Sequence, residues 1–343
     1  MRIPYQEMIN TFAIILAKHD FSPERAQKCA VLFAKSSLDG VASHGLNRFP
    51  QFLEMVRDGW INPDAEPDRE FGIPVFERWN GHLGPGMLHA EFCMDRAIKM
   101  AKENGVGCVA LNNTNHWMRG GNYGWQAAST GCIGICFTNT IPNMPAWGGS
   151  EPKLGNNPLV IAMPYKDEAV VLDMAMTQYS YGKMSAYLNK KSSMPYEAGF
   201  NEKGALTKNP AEVLALQLAL PAGLWKGAGL SLMLDMIASV FSKGKATHQI
   251  GENGIEFGVS QFFCCLDMER CGLNKEKVDQ HVQDVLEDIK SSKVFAVAEI
   301  SYPGERSLRE RRENLEKGIP VDPVIWDRLI ATELLPDKKE KKK

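Results

Sequence analysis

Apolar residues recur at helical spacing through residues 5 to 60, as Phe12, Ile15 and Leu16 and then Ala30, Leu32 and Phe33. Ser22 followed by Pro23 supplies a cap and a first turn between them. The pattern predicts a helical N-terminal lobe. Residues 92–105, F-C-M-D-R-A-I-K-M-A-K-E-N-G, predict another amphipathic helix, closed by Gly105 as a left-handed C-cap. The texture then changes to short β-branched runs, V-G-C-V-A-L, I-G-I-C-F-T, P-L-V-I-A-M-P and A-V-V-L-D-M-A, separated by Gly, Pro and Asn. That is strand chemistry with tight connections, so a sheet-based lobe is expected over much of 106–300. Inside it, residues 227–240, G-A-G-L-S-L-M-L-D-M-I-A-S-V, read as an almost wholly apolar helix that must be buried on most sides. Lys275 to Ser291 predicts an amphipathic helix ending in a serine pair, and 306–317 a solvated helical face with opposite charges at helical spacing. The last seven residues, D-K-K-E-K-K-K, are too polar to bury and read as a solubilising tail.

At 343 residues the chain is long for one core, so two or three lobes are expected. A formal net charge of −2 gives no electrostatic case for nucleic acid. The N-terminus, M-R-I-P-Y-Q-E-M-I, lacks the apolar stretch of a signal peptide. No apolar run approaches the roughly 18 residues of a membrane helix, and a cytoplasmic protein is expected. The eight cysteines are scattered among apolar neighbours, as buried free thiols in a reducing compartment would be. Cys132 and Cys136 stand four apart but within a strand pattern, and no metal site is expected there.

Candidate chemistry begins at residues 43–50, S-H-G-L-N-R-F-P. If a helix starts at Ser43 as its N-cap, His44 and Arg48 project from one face. Imidazole titrates near neutral pH and guanidinium binds a carboxylate in a bidentate fork, so the pair suits a small substrate with a carbonyl to protonate and a carboxylate to hold. Residues 112–125, N-N-T-N-H-W-M-R-G-G-N-Y-G-W, form a loop dense in hydrogen-bonding and aromatic side chains, and 138–158 repeat that texture. Asp173 ends A-V-V-L-D, where an acid at the end of a buried strand needs a partner and an imidazole is the natural one. A Rossmann dinucleotide unit requires G-x-G-x-x-G between strand and helix. The nearest segments, G-P-G-M-L-H from Gly84 and G-A-G-L-S-L from Gly227, both lack the third glycine, and there is no Walker A loop. A dinucleotide bound here would need another scaffold.

Taken together, S-H-G-L-N-R-F-P, N-H-W-M-R-G-G-N-Y-G from Asn115, T-N-x-x-P from Thr138, L-G-N-N-P from Leu154, V-L-D-M-A from Val171, W-K-G-A-G from Trp225 and P-G-E from Pro303 resemble the type-2 malate/L-lactate dehydrogenase family over nearly the whole chain. The resemblance implies an α/β fold with a mostly antiparallel sheet and a non-Rossmann dinucleotide-binding lobe. It also implies a homodimer whose active sites draw on both subunits. The lobes expected are a helical one from residues 1–70 joined by 301–343, a catalytic and substrate region over 71–125, and a nicotinamide-binding one over 126–300. His44 would be the acid that protonates the substrate carbonyl, Arg48 would hold the carboxylate, and His116 would line the same pocket. The dinucleotide would lie along Val171, Leu172, Asp173, Met174, Ala175, Met176 and Thr177, at Trp225 and Lys226, and at the turn of Gly304, Glu305 and Arg306. NADH is implied over NADPH by one branch of the family.

Chemistry agrees with these assignments. Hydride addition to a ketone leaves an alkoxide, which a positioned acid relieves. In a first helical turn His44 would have its protonated form disfavoured by the helix dipole, and a carboxylate, with Asp173 the candidate, would restore it. Lys226, ahead of a helix at Gly227, offers a cation and free N–H groups to a pyrophosphate. The chain departs from the family at Ala42, where an aspartate is common, at Asn156, where a threonine is common, and over M-A-M-T-Q-Y-S-Y-G-K after Asp173. Two other classes also fit parts of this set. A metal-dependent hydrolase could use His44, His116 and Asp173 as ligands, and a silent binding protein could retain the scaffold without turnover.

Overall fold

The computed structural model describes residues 1–251, 254–295 and 299–334, so the lysine-rich tail lies outside the described residues. The chain divides into two compact units, Met1–Asp64 with Arg306–Lys343, and Ala65–Glu305.

The first unit is helical, with α1 (Tyr5–Ala17), α2 (Pro23–Leu38), α3 (Phe49–Arg57), α10 (Glu305–Lys317) and α11 (Pro323–Glu333). Ser22 caps α2 through its hydroxyl, which accepts the Arg25 N–H. Aromatic rings fill the centre: Phe12 stacks on Phe49 with centroids 4.3 Å apart, and Phe33 meets Phe49 edge-on at 4.9 Å. Strand β1 (Arg2–Ile3) pairs antiparallel with β13 (Ile319–Pro320), tying the first residues to the segment between α10 and α11. The buried Asp39 carboxylate takes a bidentate bond from Arg311, both contacts at 2.6 Å, which joins the end of α2 to α10.

The second unit is built on a seven-stranded sheet in the order β2 (Asp68–Ile73), β3 (Phe76–Asn80), β4 (Val106–Thr114), β12 (Val259–Asp267), β5 (Cys132–Thr138), β8 (Leu159–Tyr165) and β9 (Glu168–Met174). Only the β3–β4 pair is parallel, so the sheet is mostly antiparallel, as the family resemblance implies. Residues 71–125, expected as a region of their own, instead give β3 and β4 to this sheet, because β4 pairs with β12 from the far end of the unit. Helices α4 (Gly86–Asn104) and α5 (Gly121–Ala128) pack against it, with Trp117 and Tyr123 on Phe263 of β12. Helix α4 starts six residues before its expected position, directly after Pro85, and ends at Gly105 as predicted. The neighbouring residue Phe262 points to the opposite face and meets Phe241 of α8 (Trp225–Ser242). Short pairs β6 (Met144–Pro145) with β7 (Pro152–Leu154) and β10 (Gly199–Phe200) with β11 (Leu206–Thr207) lie outside the sheet, along with α6 (Tyr181–Asn189), α7 (Pro210–Leu216) and α9 (Lys275–Lys290). No helix among the described residues is long and apolar enough to cross a membrane.

Helix α8 departs from the sequence reading. Its buried residues include Ser231, Asp235, Ser239 and Ser242, whereas Met233 is 49 % exposed, Val240 71 % and Phe241 48 %. The polar positions recur every three to four residues and meet polar partners inside the unit. The Asn139 amide donates to Asp235 Oδ1 (2.8 Å), which also accepts the Thr247 N–H (2.9 Å). Asn157 donates to the Ser231 carbonyl (3.0 Å) and accepts the Thr140 N–H (3.0 Å), while the Ser231 hydroxyl donates to the Gly155 carbonyl (2.7 Å). Buried polar atoms must find partners, so the asparagines of T-N-T and L-G-N-N-P turn the serines and Asp235 of α8 inward beside Leu234 and Ala238, and leave Met233, Val240 and Phe241 outside.

Candidate active site

His44 and Arg48 do not share an α-helical face. The chain makes two short 3-10 turns, Ala42–His44 and Leu46–Arg48, before α3 begins at Phe49. Gly45 separates them, and a Cβ there would lie 2.1 Å from Ser37 Oγ and 2.8 Å from Ser37 N. The glycine lets this loop close onto α2, and the Ser37 hydroxyl accepts the Leu46 N–H at 2.9 Å. Ser43 is not an N-cap; its hydroxyl lies 3.0 Å from His44 Nδ1. The helix-dipole argument for His44 therefore lapses, since the ring stands in a 3-10 turn. Both side chains remain half-buried, each at the end of its turn.

In the second unit, the segment Val171–Thr177 lies between two turns. At its start, the Val171 N–H donates to the Pro303 carbonyl (3.0 Å), and Gly304 follows with φ +91°. Glu305 closes this turn by accepting the Tyr302 N–H (3.2 Å), and Arg306 stands in the first turn of α10. Further along, the Met176 N–H donates to the Asn156 carbonyl and the Ala222 N–H donates to the Met176 carbonyl, both at 2.8 Å. Ala222 leads into α8, whose first residues are Trp225, 62 % exposed, and the exposed Lys226. The helix begins at Trp225 and not at Gly227, which places Lys226 inside the first turn, where its own N–H donates to the Gly223 carbonyl at 3.3 Å. Leu172, Met174 and Ala175 are half-buried along this path. Thr177 is buried, and its hydroxyl has no hydrogen-bond partner among the described residues.

Asp173 leaves the end of β9 with its side chain 29 % exposed. Its Oδ2 accepts the Gly121 N–H at 2.8 Å and lies 3.9 Å from Arg119 Nε. Within this unit its partners are thus an amide and a guanidinium. Arg119 is itself buried and lies over the Trp125 ring at 5.0 Å. The stretch read as a loop over 112–125 is strand to Thr114 and helix from Gly121, and only the piece between is irregular. His116 sits there, half-buried, with Nδ1 accepting the Met118 N–H at 2.9 Å. An Nδ1 that accepts a backbone N–H carries no proton, so Nε2 is the N–H of the neutral ring.

A family model described as malate/L-lactate dehydrogenase matches residues 3–330. The chain belongs to the malate/L-lactate dehydrogenase family. A 2,3-diketo-L-gulonate reductase of Citrobacter koseri is 39 % identical over 334 residues, covering 96 % of this chain and all of that protein. Among solved structures, sulfolactate dehydrogenase from Methanocaldococcus jannaschii superposes with a TM-score of 0.86 at 31 % identity, covering 97 % of each chain. Malate dehydrogenase from Pyrococcus horikoshii gives 0.89 at 28 % identity, covering 98 % of this chain and 96 % of that one.

For a member of this dehydrogenase family, the residues fit a nicotinamide dinucleotide. Thr177 offers a hydroxyl with no hydrogen-bond partner among the described residues, Lys226 an exposed ammonium in the first turn of α8, and Gly304 a turn whose backbone packs closely on Val171. Arg119 was visible in W-M-R-G-G but received no role from sequence. Its contact with Asp173 joins residues from different elements, and no local period records such a contact.

Proposed function

We propose that this chain is a cytoplasmic NADH-dependent reductase that converts 2,3-diketo-L-gulonate to 3-keto-L-gulonate. The observation that carries the cofactor part is the continuity of Val171–Thr177 with the Gly304 turn at one end and the start of α8 at the other, which supports one extended dinucleotide site. The substrate part rests on the likeness to curated 2,3-diketo-L-gulonate reductases over the full length of the chain. A bound nicotinamide supplies the hydride. His44 delivers the proton to the oxygen of the reduced carbonyl, and Arg48 holds the substrate carboxylate as a fixed cation. His116, with Nε2 as its N–H, donates a hydrogen bond to a substrate oxygen. Asp173, fixed by Arg119 and the Gly121 amide, and Lys226 bind the dinucleotide.

The working form is a homodimer with active sites that draw on both copies. The outward apolar face of α8, carrying Leu230, Met233, Met236 and Val240, supports a second copy as its occupant. NADH oxidation by the purified protein with 2,3-diketo-L-gulonate, beside pyruvate, oxaloacetate and NADPH controls and with a chelator present, tests the reading. Fast, selective turnover of the diketo acid is expected. Turnover of another keto acid would move the substrate to a lactate, malate or ureidoglycolate branch. No oxidation of either cofactor would overturn the dehydrogenase reading.

A further inference from the structure

Cys108 and Cys264 stand directly opposite each other on the antiparallel strands β4 and β12, with their sulfurs 3.4 Å apart. Each is half-buried, and each lies on the face of the sheet away from Cys265, whose sulfur packs inward on Met94. Directly opposed residues of an antiparallel pair have Cα atoms about 4.5–5.5 Å apart, inside the window of roughly 4.4–6.8 Å that a disulfide spans. The paired register therefore holds the two residues at a backbone separation that a disulfide spans, and closing the bond brings the sulfurs in from 3.4 Å.

We infer that Cys108 and Cys264 form a reversible dithiol–disulfide modification site that peroxides oxidise. The Cys108 thiolate attacks the peroxide O–O bond, giving a sulfenic acid and releasing hydroxide. The Cys264 sulfur then attacks that sulfur and expels its oxygen as water, so two thiols and one hydrogen peroxide become one disulfide and two waters. The side-chain pairing with Cys264 holds the Cys108 thiol below its ordinary range, while the same pairing and burial push the Cys264 thiol up. That asymmetry suits Cys108 as the attacking thiolate and Cys264 as the resolving thiol. The other cysteines lack this arrangement: Cys29, Cys93, Cys132, Cys136 and Cys265 are buried, and Cys271 is exposed with its sulfur against the Gly105 carbonyl.

The test is a thiol count on the intact, folded protein after mild hydrogen peroxide, followed by denaturation, blocking and peptide mapping. The expected result is a loss of two free thiols, a mass lower by two hydrogens, a crosslinked peptide joining Cys108 to Cys264, and full reversal by dithiothreitol. Cys264→Ser should stop the reaction at a Cys108 sulfenic acid that a dimedone probe traps, and Cys108→Ser should keep every other thiol reduced under the same dose. Oxidation that falls first on Cys271, sulfinic acid at Cys108 in the parent protein, or no loss of thiols would each overturn the inference. Should either serine variant fold poorly, the crosslinked peptide from the parent protein decides alone.

Discussion

Adding one methyl group at Gly304 should show whether the turn that abuts Val171 holds the cofactor. At φ +91° an alanine pays about 1–2 kcal/mol that glycine does not. Its Cβ would lie 3.1 Å from Val171 N and 3.2 Å from Val171 O, and these are backbone atoms of β9 that cannot rotate aside. Relief requires the turn to move by a few tenths of an ångström, which weakens the Val171 N–H bond to the Pro303 carbonyl, worth about 0.5–1.5 kcal/mol. The sum is roughly 2–3 kcal/mol. If the chain absorbs the strain in place, the melting midpoint of Gly304→Ala falls by roughly 5–10 °C. If the turn moves, affinity for NADH falls, by up to roughly 30- to 100-fold at 1.4 kcal/mol per factor of ten. Calorimetry together with NADH titration by tryptophan quenching reads both, Trp125 Cζ2 lying 3.5 Å from the added atom. Gly304→Asn keeps the contact but reduces the backbone cost, since asparagine visits left-handed conformations more readily, and should fall between parent and alanine. An alanine variant with the parent's midpoint and the parent's affinity would refute the reasoning.

His44→Ala should lower turnover roughly 100- to 10,000-fold while NADH affinity in a binding titration stays within about twofold, and a full-rate variant would remove His44 from the chemistry. Lys226→Ala should raise the Michaelis constant for NADH by roughly three- to tenfold with a smaller change in turnover, the exposed ammonium limiting the effect. Met233→Glu with Val240→Glu should convert a sedimenting dimer to a monomer without lowering the melting midpoint of the single chain, since both side chains are exposed within it; unchanged sedimentation would exclude this face as the interface. Asp235→Leu leaves the Thr247 N–H without its acceptor and removes one acceptor of the Asn139 amide, and should cost roughly 1–3 kcal/mol for each stranded donor, read from the urea midpoint; an unchanged midpoint would show that α8 does not depend on this network.

The sequence by itself determined the local elements and the residue types of the site. Ser22 with Pro23 marked the start of α2, and Gly105 marked the end of α4. The β-branched runs marked β4, β5, β8 and β9, because capping and side-chain alternation act over a few residues and leave a local signature. The absence of a third glycine in any G-x-G-x-x-G segment excluded the Rossmann scaffold, and the dispersed motifs pointed to the family. Tertiary structure alone decided three other matters. Gly45 breaks the His44–Arg48 segment into two 3-10 turns because α2 lies against it, a constraint set by Ser37 and invisible in the spacing. Asp173 receives Arg119 and the Gly121 amide as partners because β9 ends beside the start of α5. Helix α8 buries its serines and Asp235 beside Leu234 and Ala238 and exposes Met233 and Met236 because the interior facing it holds asparagine amides next to an apolar cluster. Hydrophobicity along the chain predicts that an apolar residue prefers burial, but the partners available to each face of a helix are fixed by elements distant in sequence, and burial follows those partners.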